Sequence, residues 1–97
     1  MPTYVMLANW TDQGLRAIAD GPRRLDGAKK TLEEMGGHFR ELYMTMGEFD
    51  LVGIYDAPDD AVAARFILLL GQLGNVRTRS MKAFPEEAYR KIVDSLR

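Results

Sequence analysis

A chain of 97 residues, 46% hydrophobic and 28% charged, with a formal charge of -1, is sized for one domain around one core, and its charge balance argues against a general affinity for nucleic acid. It contains no cysteine, which removes disulfides, thiolate metal sites and thiol nucleophiles together. The longest apolar run, FILLLG, is too short to cross a bilayer, and MPTYVMLANW carries no basic leader, so no membrane partner and a cytoplasmic location are expected.

Thr3 to Trp10 (TYVMLANW) suits a pleated surface and shows no helical period, which predicts a first strand. Alternation places Val5, Leu7 and Asn9 on one face and Tyr4, Met6 and Trp10 on the other; the first set is assigned to the helices. Thr11 is placed to cap a helical stretch that Gly14 weakens and Asp20-Gly21-Pro22 interrupts. Pro22 then suits the first turn of a new helix with Leu25, Ala28, Leu32 and Met35 on one stripe, ended by Gly36-Gly37.

HFRELYMTM and DLVGIYD flank Gly47-Glu48, and Gly at the first central position suits a type II′ hairpin turn. Symmetric pairing sets Met44 against Leu51, Leu42 against Gly53 and Arg40 against Tyr55, with Tyr43–Val52 and Glu41–Ile54 as the opposite set. The β-branched Val52 and Ile54 are assigned to the helix side. That leaves His38, Arg40, Leu42, Met44, Leu51, Gly53 and Tyr55 on a bare face.

Asp59 is positioned to cap the next helix and Asp60 to complement its dipole. Val62, Phe66, Leu69, Leu70 and Leu73 form its packing stripe, yet Ala61, Ala64, Ile67 and Leu68 are apolar as well, so this helix needs a second cover. Part of that cover is expected from the last helix, PEEAYRKIVDSLR, with Tyr89, Ile92 and Leu96 on one stripe, and the rest from another subunit. Between the two helices, Gly74-Asn75 is a stop and VRTRSMKAF a fourth strand.

The order strand, helix, strand, strand, helix, strand, with a terminal helix, is a split βαβ pair. The predicted class is α+β: one ferredoxin-like domain over residues 1–97, a four-stranded antiparallel sheet with both helices on one face. A bare second face carrying Met and aromatic side chains predicts self-association through it.

PTYVMLANWTDQG, MGEFDLVGIYDAPDD and LGNVRTRSMKAF together resemble the GYD-domain proteins over nearly the whole chain. The naming motif stands as Gly47-Glu48-Phe49-Asp50, with Phe49 where Tyr is more usual. The resemblance implies a dimeric α/β barrel, two ferredoxin-like units pressing their sheets together, and carries no settled biochemical activity.

The candidate ligand-binding residues are His38, Arg40 and Tyr55 beside Gly53, a set suited to an anionic or aromatic small molecule, with Asn9 and Trp10 at the end of the first strand. His38 is the only histidine and has no partner with metal-ligand spacing, so no metal and no cofactor are expected. Asp56, Asp59 and Asp60 have local explanations as strand end, cap and dipole complement. The leading expectation is a homo-oligomer without demonstrable catalysis that binds a small hydrophobic or aromatic ligand beside the sheet. The alternative is a small cofactor-independent enzyme, monooxygenase-like or isomerase-like, with its pocket between sheet and helices.

Overall fold

The computed structural model describes residues 1–97. Strands β1 (Thr3–Trp10), β2 (His38–Met44), β3 (Leu51–Asp56) and β4 (Val76–Ala83) form one sheet in the order β2-β3-β1-β4, every neighbour antiparallel. Helix α1 (Asp12–Arg16) and a 3₁₀ turn (Ile18–Asp20) lead into α2 (Gly21–Glu34). Helix α3 (Asp60–Leu73) links β3 to β4, and α4 (Glu86–Asp94) follows β4. This is the predicted ferredoxin-like α+β arrangement.

The helix boundaries follow local chemistry. Thr11 accepts from the Gly14 N–H at 3.1 Å, and Asp59 accepts from the Val62 N–H at 2.9 Å, each satisfying a donor that a helix start leaves unpaired. Gly36 and Gly74 end α2 and α3 at φ 92 and 79, values that disfavour a side chain. Gly37 has a different role: a Cβ there would overlap the Asp56 carbonyl, so only glycine lets β2 start against β3.

The core lies between the helices and one face of the sheet. Tyr4, Met6 and Tyr55 meet Leu32 of α2 and Ala63, Phe66 and Leu70 of α3. Four rings hold its centre: Tyr4 stacks on Tyr55 at 5.3 Å, and Phe66 meets Tyr55 and Phe39 edge-on at 5.5 and 5.8 Å. Each such ring contributes about 1.5–3 kcal/mol by burial, and offset or edge-on pairs add about 0.5–1.5 kcal/mol.

The faces of the sheet are therefore the reverse of those predicted. Tyr4, Met6, Ala8, Leu51, Gly53 and Tyr55 face the helices, and Val5, Leu7, Asn9, Val52 and Ile54 face away. Fit outweighs β-branching: a Cβ on Gly53 would lie 3.0 Å from the Phe39 ring and 3.1 Å from Leu42 Cδ1. The space Gly53 leaves is filled by those two side chains of the same face.

The hairpin is also corrected. The predicted pairs hold from Met44–Leu51 to Glu41–Ile54, but Arg40 is then passed over, Phe39 faces Tyr55 and His38 faces Asp56. One extra residue forms a bulge and delivers Phe39 to the core. The connection spans Thr45–Asp50, and Gly47 has no positive φ, which excludes the type II′ turn.

α4 does not cover α3. None of its residues is buried; Tyr89, Ile92 and Val93 are exposed, as are Leu96 just beyond it and Leu68 of α3. The chain reaches 53 Å along its longest axis against 31 and 18 Å across.

Candidate functional site

The outward face of the sheet is built of cross-strand rows. Tyr43, Val52, Leu7 and Arg79 form one; Glu41, Ile54, Val5 and Met81 form the next. Val5, Leu7, Val52 and Ile54 make a partly exposed apolar centre, and Tyr43 and Met81 extend it toward the two edge strands, each more than half exposed. No helix of the chain covers this face.

At one end of the face the rows become polar. Asp56 lies between Thr3 and His38 in the sheet, with its carboxylate nearly buried. The Thr3 hydroxyl donates to its Oδ1 at 2.8 Å. His38 Nε2 and Arg40 Nε approach its Oδ2 at 3.4 and 3.5 Å, and both side chains are about half exposed. The bulge at Arg40 brings these two onto one carboxylate. Asp56, explained in the sequence as a strand end, is the hub; its signal is Gly37, which lets β2 begin against its backbone.

The five predicted ligand-binding residues do not form one group. His38 and Arg40 meet at Asp56. Asn9 lies on the same outward face but at the other end of β1, where its side-chain oxygen accepts the Asp50 N–H at 3.1 Å. Tyr55 is fully buried on the helix side, not on the bare face, and its hydroxyl lies 3.5 Å from Ser80 Oγ. Trp10 also points to the helix side, where it lines a cleft of about 550 Å3 between α2, α3 and the sheet. That cleft, with Met6, Ala8 and Leu42 on its floor, is mostly apolar, and Arg24 is the one charged residue on its walls.

A second polar group pins α3 to the sheet. The Tyr4 hydroxyl donates to Asp60 Oδ1 at 2.5 Å, and Lys82 Nζ lies 3.2 Å from the same carboxylate oxygen. Burial, reinforced by the Asp60 carboxylate, pushes the Tyr4 phenol well above its ordinary value of 10.0. The bonds from Tyr4 and Lys82 hold Asp60 below the usual carboxylate range. Burial also raises Tyr55, against the lowering effect of Ser80.

The GYD domain family model matches residues 4–93. The chain belongs to the GYD domain family. A Thermus thermophilus protein named "Glutamine synthetase and cystathionine beta-lyase binding protein" is 33% identical over 86 residues, covering 88% of this GYD chain and 90% of that one. Among solved structures, a hypothetical protein from Pyrococcus horikoshii superposes with a TM-score of 0.57 at 20% identity, covering 88% of this chain and 92% of that one. A Thermus thermophilus protein of solved structure does so with 0.56 at 21%, covering 88% and 95%. At such identities these two likenesses speak for the fold alone.

The GYD motif has a structural use here. The Asp50 carboxylate accepts the Trp10 N–H at 3.0 Å, and the Asp50 N–H donates to the Ala8 carbonyl at 3.0 Å. Thr45 closes the loop through its hydroxyl to the Phe49 carbonyl and through its N–H to the Asp50 carbonyl. The motif thus ties the β2–β3 connection to the end of β1 by backbone and carboxylate, and Phe49 contributes its carbonyl.

Proposed function

We propose that this GYD protein is a homo-oligomeric docking module, at least a dimer, whose sheets pair through their outward faces and whose assembly binds larger enzymes. The observation that carries this reading is the outward face itself. Its centre of Val5, Leu7, Val52 and Ile54 lies in a sheet otherwise covered on one side only, with Arg79, Glu41 and the His38–Arg40–Asp56 group around it. An apolar centre inside a charged rim is the anatomy of a protein interface. The name of the Thermus relative supports enzymes as the further partners.

The rival reading as a small enzyme needs polar groups converging in the α2–α3 cleft. Its one charged wall residue, Arg24, donates instead to the carbonyls of Ala17 and Gly14 at 2.8 and 3.1 Å. The docking reading is tested by co-sedimentation of the purified chain with purified glutamine synthetase and cystathionine β-lyase. The expected result is binding to at least one of them that Ile54→Lys weakens by about tenfold or more. Equal binding by the variant, or binding to neither enzyme, contradicts the proposal.

A further inference from the structure

Two apolar surfaces of this chain have no partner within it, and they complement each other in kind. One is the cleft of about 550 Å3 between α2 and α3, floored by Met6, Ala8 and Leu42 and walled by Ala28, Leu69 and Leu73. The other is α4 with the turn that follows it, where exposed Tyr89, Ile92, Val93 and Leu96 stand at i, i+3, i+4 and i+7. That spacing is how an amphipathic helix anchors in a groove.

The cleft is long enough for such a stripe. Along its floor, Met6 to Trp10 is four strand steps, roughly 13 Å at about 3.3 Å per step. Within α4, Tyr89 to Val93 is four helical rises, roughly 6 Å at about 1.5 Å per rise, and Leu96 in the turn beyond Asp94 extends the apolar stripe. The cleft is mostly apolar, with Arg24, Thr31, Gln72 and Asn75 as its polar members, and Arg24 is already engaged by two carbonyls.

α4 does not lie in the cleft of its own chain, and none of its residues is buried. β4 ends at Ala83, which pairs with Thr3 at the far end of β1 from Trp10. Only Phe84 and Pro85 connect Ala83 to α4, three Cα steps or about 11 Å at most, and α3 packs along β4 in between. That leaves the cleft open to another molecule.

We propose that α4 of one copy docks in the α2–α3 cleft of a second copy, as an exchanged C-terminal arm. The contact joins two different surfaces, so it closes either as a reciprocal pair or as a ring. It uses neither strand edge nor outward sheet face, and therefore stands apart from the sheet pairing proposed above.

The absence of cysteine makes a direct test available. Two variants of the 97-residue chain, Leu73→Cys on the cleft wall and Leu96→Cys on the arm, are mixed under mild oxidation. These side chains are 66% and 80% exposed, so neither substitution disturbs the core. The expected result is a mixed disulfide in clear excess over both homodisulfides. Adding Ile92→Glu to the arm variant should reduce it by about tenfold or more, because a carboxylate would enter an apolar cleft. The mixed product should persist when both chains also carry Ile54→Lys, which separates this inference from the sheet pairing.

A mixed disulfide no more abundant than the homodisulfides overturns the proposal. So does a chain carrying both cysteines that closes on itself at monomer mass. A lipid-like molecule found in the cleft by native mass spectrometry, with α4 free, overturns it as well.

Discussion

The two faces of the sheet use the same strands and reach opposite outcomes. The inner face sets Tyr4, Met6 and Tyr55 against Leu32, Phe66 and Leu70, and small residues at Ala8 and Gly53 give larger neighbours their room. The outer face sets Val5, Leu7, Val52 and Ile54 beside Tyr43 and Met81, with every one of them at least partly open to water. Both faces carry apolar side chains, and their surroundings separate them. On the inner face side chains of varied size interlock with the helices, whereas on the outer face an apolar centre is bordered by Glu41, Arg79 and the Asp56 group.

That contrast is broken most severely from the inside. Phe66→Ala should cost about 3–5 kcal/mol, read as a lower urea midpoint, because it removes the ring that meets both Tyr55 and Phe39. Gly53→Val should cost about 1–3 kcal/mol by forcing Phe39 and Leu42 out of contact distance. Ile54→Lys, made on the outer face, should change the stability of the isolated chain by about 0.5–1 kcal/mol or less while lowering the mass of the assembly.

The smallest effect concerns pH. The Tyr4 phenol is raised in the folded state, so its contribution is complete below the unfolded value near 10 and is lost as pH climbs through the folded value. Asp60 is lowered in the folded state, so its contribution is present above about 3.8 and is lost as pH falls. Tyr4→Phe should therefore flatten stability at both extremes, measured by urea unfolding at about pH 3, 7 and 11. An unchanged alkaline limb would show that Tyr4 is not held protonated by the fold.

The element order, both cap residues and both helix stops are legible in the sequence because each rests on one or two residues: Thr11, Asp59, Gly36-Gly37 and Gly74. The facing of the strands is not, since either alternate set of β1 is apolar enough to be the core. The informative residues are the small ones. Ala8 and Gly53 share a face, and a face with gaps is one that something large must fill. The candidate site is legible only in part: His38 and Arg40 do converge, but on Asp56 and through a bulge that symmetric hairpin pairing cannot foresee. Tyr55 and Trp10 follow the misassigned face to the other side of the sheet.

The mass of the chain in solution tests most directly whether the outward face is an interface. Sedimentation velocity at micromolar concentration should show a species of at least twice 11.0 kDa that Ile54→Lys shifts downward. A single 11.0 kDa species in the unaltered chain would contradict it.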